Sequence, residues 1–152
     1  MFTIFKKGDR ANPNNYRGIS TIYSLAKLYD MSLCQRLNLW FKPFREQAGA
    51  QKHRSCIEHI VTVCLLTDTA RRKNTKLFVT FVDFSKAYDF VPRRKLSSVL
   101  RRIGCGRVML AALMATYRVT QSIVGSAVVA ATRGVRQGSP TSCLFFVILL
   151  MN

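Results

Sequence analysis

With 152 residues, 49% of them hydrophobic, the chain can bury the core of one domain, which excludes wholesale disorder. Its 24 Lys and Arg against 7 Asp and Glu give a formal charge of +17 and a pI near 10.5. Such a surplus calls for a polyanion, and because the cations are spread along the chain rather than along one amphipathic helix, nucleic acid fits better than a membrane surface.

Residues 6–20, rich in Asn, Gly and Pro, read as loops around short strands. From about Thr21 to Trp40 the apolar spacing predicts a helix with Ile22, Leu25, Tyr29, Leu33, Leu37 and Trp40 on one face, ended by Pro43. Ser55-Cys56-Ile57-Glu58 has the capping-box pattern and should open a second helix with a stripe of Ile57, Ile60, Val61, Cys64 and Leu65. Leu77–Val82, nearly all β-branched or aromatic, predicts a central strand covered on both faces. Pro92 should open a helix with Leu96, Val99, Leu100 and Ile103 inward, Arg93, Arg94, Lys95, Arg101 and Arg102 outward, and Gly104 as its stop. A further helix is expected over about Arg107–Tyr117, a hairpin over 119–132 around Gly125-Ser126, and a last helix from Pro140. The whole is mixed α/β, one domain, without repeats or linkers. The nine-residue apolar run Cys143–Met151 falls short of the ~20 residues a membrane span needs.

Five cysteines make an odd count without a CxxC pair, which argues against a disulfide framework and a zinc site and fits a reducing, intracellular compartment, nucleus or cytoplasm. The start of the chain runs straight into Lys6-Lys7 and makes no signal-peptide core. Cys56 and His59 are two ligands without a second pair, and read as helix residues.

Asp83 directly follows the expected strand. A carboxylate there can serve as an oxygen ligand for Mg²⁺, which takes one or two protein carboxylates and fills the rest from phosphate and water. Taken alone, Asp83 reads first as a helix N-cap, and Asp89, six residues on, can be a ligand, a cap or an ion-pair partner. Arg133–Pro140 is a glycine-bearing loop leading into a helix, a setting that can meet phosphate and that many surface turns share.

In order along the chain, FKKGDRANPNNYRGIS, EQAGAQKHRSCIEHI, FVTFVDFSKAYDFVP and GVRQGSPTS resemble the reverse transcriptases of non-LTR (LINE-type) retrotransposons. The resemblance implies an RNA-directed DNA polymerase with right-hand architecture, residues 1–75 giving fingers and the helices leading into the palm, and 76–152 the palm. Asp83 would then be the motif A aspartate ligating two Mg²⁺ ions, with the carbonyl of Phe84 assisting. Tyr88 would be the aromatic steric gate under the sugar, where the family more often carries Phe. Arg17, with Lys6 or Lys7, would grip the incoming triphosphate, and Gln137 and Gly138 would form the motif B pair near nucleotide and template. RNA template, DNA primer and dNTP are the implied partners, with no membrane.

Two departures accompany the resemblance. Ala50 replaces an aromatic of the fingers pattern, and the motif C aromatic-Ala-Asp-Asp hairpin does not occur before Asn152, nor does a thumb. The expectation is a fragment without polymerase activity by itself, with the strand edge and apolar face of 141–151 uncovered. The alternative is a non-catalytic nucleic-acid-binding remnant of a retrotransposon. A viral RNA-dependent RNA polymerase fits less well, since Asp89 lies one position too far from Asp83 and Tyr88 would obstruct a ribose.

Overall fold

The computed structural model describes residues 2–118, 120–124 and 126–151. The chain divides into two compact units: 1–42 joined with 86–152, and 43–85.

The first unit opens with an antiparallel hairpin of β1 (Phe2–Phe5) and β2 (Tyr16–Ile19), in register Phe2 with Ile19 and Phe5 with Tyr16. The Phe5 and Tyr16 rings meet at 5.4 Å, and a 3-10 turn at Pro13–Asn15 feeds β2. Helix α1 spans Ser24–Trp40, α3 Arg93–Arg102, α4 Arg107–Ala115 and α5 Pro140–Leu150. Between α4 and α5 lies the hairpin β3 (Gln121–Val124) and β4 (Ala127–Ala130), as the sequence predicts; Gly125 of the expected turn lies outside the described residues.

One core holds these helices together. Leu33 and Leu37 of α1, Leu96, Val99 and Leu100 of α3, Leu110 and Leu113 of α4, and Leu144, Phe145 and Ile148 of α5 are all buried in it. Complete burial of Phe145 or Ile148 contributes roughly 1.5–3 kcal/mol each. Helix α3 stops where the sequence predicts. Gly104 takes φ +89°, its amide donates to the Arg101 carbonyl at 3.1 Å, and the Cys105 amide donates to the Leu100 carbonyl at 2.9 Å. That is a Schellman closure, and it suits glycine because a left-handed residue pays no Cβ penalty there.

In α1 the buried stripe is Asp30, Leu33 and Leu37; the two leucines are as the apolar spacing predicts, while the rest of the predicted face is not buried. Leu25, Tyr29 and Trp40 are exposed. A second correction concerns Arg93, expected outside: it lies on the buried face, three and seven residues before Leu96 and Leu100, and is half-buried.

In the second unit α2 spans Cys56–Arg72, and the Ser55 hydroxyl caps it by accepting from the Ile57 amide at 3.3 Å. Glu58 does not complete the capping box; it pairs with Arg54 at 2.6 Å. Arg71 and Arg72 sit in the last turn, favourable against the helix dipole. The apolar stripe is present but solvent-facing, with Ile57, Ile60, Val61 and Leu65 exposed. The predicted central strand at Leu77–Val82 is not formed. These residues carry no regular structure, and Phe78 and Phe81 are 87% and 84% exposed. A strand exists only as part of a ladder, and among the described residues neither sheet extends beyond two strands or includes this segment. Its composition suits a sheet, but composition supplies no partner backbone.

Candidate functional site

The glycine-bearing loop 133–139 is the hub of the first unit. Its backbone docks on the turn 86–91: the Gly134 amide donates to the Val91 carbonyl and the Val135 amide to the Tyr88 carbonyl, both at 2.8 Å. Gly134 has φ +83°, and a Cβ there would stand 2.8 Å from the Asp89 carbonyl oxygen, so the approach admits no side chain. At the other end of the loop the Ser20 amide, just beyond β2, donates to the Gln137 carbonyl at 2.9 Å. Gly138, at φ +114°, brings its Cα against Ser20, where a Cβ would meet the carbonyl oxygen at 2.9 Å.

Three predicted site residues are thereby gathered: Tyr88 on the turn, and Gln137 and Gly138 on the loop. The Gln137 side-chain amide donates to Asp89 Oδ1 at 3.4 Å, which places Asp89 as a partner of the loop. The Tyr88 ring stacks on Phe146 with centroids 5.5 Å apart and planes 26° apart, and its hydroxyl donates to Cys143 Sγ at 3.2 Å. Burial, and then the bond to Cys143, push the Tyr88 pKa up to about 12.

Arg17 is exposed on β2 opposite Ile4, on the strand that ends at Ser20. Lys6 and Lys7 are exposed just past β1, with the Lys6 amide extending the ladder to the Asn15 carbonyl at 2.8 Å. Asp83 and Phe84 belong to the second unit, on exposed irregular chain following 77–82. Among the described residues no three His, Cys, Asp or Glu side chains group as a metal site.

Sequence reading missed the groups that hold this hub in place. Asp30 is 5% exposed, and its carboxylate accepts from the Ser139 hydroxyl, from the Thr141 hydroxyl at 2.8 Å and from the Thr141 amide at 3.3 Å. Ser139, the residue preceding α5, makes no cap bond of its own, so Asp30 caps α5 from another helix, where the dipole favours an anion. The signal was its spacing: Asp30, Leu33 and Leu37 share one helical face.

Arg93 is the second. Its guanidinium donates to four carbonyls: Gly134 at 2.8 Å, Ala131 at 2.9 Å, Arg133 at 3.2 Å and Tyr117 at 3.3 Å. Arg136 donates to the Thr116 carbonyl at 2.7 Å, and both guanidiniums lie 5.1 Å from the centre of the Tyr117 ring. Burial lowers the Arg93 pKa from its ordinary range; Tyr117 opposes that shift and Arg136 adds to it. The planar five-donor fork is what lets one side chain satisfy so many loop carbonyls.

The arrangement is thus a rigid loop, an aromatic ring beside it, a helix N-terminus behind it, and exposed cations on the adjoining hairpin. Its exposed cations Arg17, Lys6 and Lys7 can meet an anion. The described residues contain no helix long and apolar enough to cross a membrane.

Residues 4–152 match the family model described as reverse transcriptase (RNA-dependent DNA polymerase). The chain is also similar, at 30% identity over 157 aligned positions, to a retrovirus-related Pol polyprotein from type-1 retrotransposable element R2 of Popillia japonica. That alignment covers 97% of this chain and 22% of the relative.

Proposed function

Since the chain belongs to the reverse transcriptase family, in its non-LTR (LINE-type) branch, we propose that it forms the nucleotide-seating part of an RNA-directed DNA polymerase. The observation that supports this reading is that the turn bearing Tyr88 docks on the loop that carries Gln137 and Gly138. In this proposal 1–75 correspond to fingers and the helices leading into the palm, and 76–152 to palm.

The Tyr88 ring sits under the sugar of the incoming deoxynucleotide and leaves no room for a 2′-hydroxyl. Gln137 and the bare backbone of Gly138 pack against the nucleotide and the RNA template. Arg17, with Lys6 or Lys7, neutralises the triphosphate. Asp83, with the Phe84 carbonyl, would hold Mg²⁺, and these exposed oxygen donors suit a hard cation. When bound, a pair of such ions supplies activation of the primer hydroxyl and stabilisation of the departing pyrophosphate.

Asp83 is one carboxylate, and two ions about 3.5–4 Å apart need more than one. The 152-residue polypeptide by itself is therefore expected to extend no primer. Nucleotide binding tests the seating directly: the polypeptide should bind dUTP more tightly than UTP, and Tyr88→Ala should erase the preference. Equal affinity for the two in the unaltered chain would sink the proposal.

The charge of +17 favours a second reading, a non-catalytic nucleic-acid binder. Salt-steep binding to any polynucleotide, with no preference for deoxynucleotides and no effect of Tyr88→Ala, would support it instead.

A further inference from the structure

A tyrosine carries a hydroxyl that a phenylalanine at the same place would not, and beside a half-buried ring that hydroxyl is a handle by which a neighbour can fix the side chain. In this chain the partner is Cys143, whose Sγ accepts from the Tyr88 hydroxyl at 3.2 Å. Cys143 and Phe146 stand one turn apart on α5, hence on the same face, and Phe146 stacks on the Tyr88 ring at 5.5 Å. The ring is therefore held at two points by one helix, its face by Phe146 and its tip by Cys143. The same helix is capped by Asp30 and begins at Pro140, two residues beyond Gly138.

We propose that Cys143 is a positioning residue for Tyr88, fixing the ring against α5 so that it discriminates between deoxyribose and ribose. This rests on the reading of Tyr88 as the sugar gate and adds to it the group that sets the gate's position. The mechanism is geometric. A ring held only by its stacked face can slide along Phe146, and a slide opens space beneath the sugar for a 2′-hydroxyl. A ring whose hydroxyl is also tied to the thiol cannot slide without losing that bond. The sequence offers no hint of the pair, since Tyr88 and Cys143 are 55 residues apart.

A double-mutant cycle on the 152-residue chain tests it, with the ratio of UTP to dUTP dissociation constants as readout and circular dichroism to verify folding. Cys143→Val keeps a side chain of similar size and removes the acceptor. It should lower the ratio by about threefold to tenfold, the equivalent of one ordinary hydrogen bond. In a Tyr88→Phe background, which has no hydroxyl to hold, the same Cys143→Val change should leave the ratio unaltered. A merely structural role for Cys143 would move both backgrounds alike, and that result overturns the inference.

The two levels of the reading separate cleanly. If Tyr88→Ala changes the ratio but Cys143→Val does not, the gate stands and the positioning role falls. If neither changes it, the gate itself falls, and the positioning role with it. Should Cys143→Val unfold, Cys143→Ser restores a hydrogen-bond acceptor at the same point and should hold the ratio near that of the unaltered chain; a ratio as low as that of Tyr88→Ala would count against the proposal.

Discussion

Asp30 and Thr141 lie 111 residues apart in sequence, yet the buried carboxylate of the first accepts from both the hydroxyl and the amide of the second. That pair fixes the start of α5 to the middle of α1, and with it the loop that carries Gln137 and Gly138. Asp30→Ala would leave the buried hydroxyls of Ser139 and Thr141 without their acceptor. It should cost about 1–3 kcal/mol in urea unfolding, with Asp30→Asn costing less because its amide oxygen still accepts.

Two glycines with similar dihedral angles should respond differently to the same substitution. Gly104 has open space where a Cβ would go, so Gly104→Ala bears only the backbone penalty, about 1 kcal/mol. Gly134 would place that atom against the Asp89 backbone, so Gly134→Ala should cost more, about 2–4 kcal/mol when clash adds to dihedral strain. Thermal unfolding of the two variants side by side checks the order, and equal losses would contradict the close approach described for the loop.

Arg93 and Arg94 are neighbours in a basic run and should differ sharply. Arg93→Lys gives up the planar fork that reaches four carbonyls and should destabilise the chain by about 1.5–3 kcal/mol despite keeping the charge. Arg94 is exposed, and Arg94→Lys should stay within about 0.5 kcal/mol. Denaturant midpoints distinguish the two.

Tyr88 should leave a mark on the alkaline titration. Its folded pKa is raised from the ordinary 10 to about 12, so the folded state holds the phenol proton more tightly than the unfolded chain does. The resulting stabilisation is fully present below the ordinary pKa and is lost as pH rises towards 12. Tyrosinate absorbance should show a late step that Tyr88→Phe removes and that Cys143→Val moves to lower pH. If no late step disappears in Tyr88→Phe, the half-buried setting of Tyr88 and its hydroxyl–thiol bond are not formed in solution.

Much of the fold was legible because it rests on local signals. The Ser55 cap, the Pro92 and Pro140 starts, the Gly104 stop and the inward face of α3 all depend on residues within one or two turns of each other. The segment 77–82 was misread for the opposite reason, since its β-rich composition has meaning only beside a partner strand. The face of α1 was read correctly at Leu33 and Leu37 and missed at Asp30, which looks like a surface residue until its acceptor role for Ser139 and Thr141 is seen.

The site divides along the same line. The sequence by itself determined family kinship and named Asp83, Tyr88, Gln137 and Gly138, because motif spacing is written along the chain. Only the tertiary structure decided what holds Tyr88, Gln137 and Gly138 in place: Asp30 under α5, Arg93 across four carbonyls, and Cys143 at the tip of Tyr88. Those contacts join residues 40 or more positions apart for the most part, and the Asp30 contact with Thr141 is buried. Burial belongs to the packed chain and to no stretch of sequence alone.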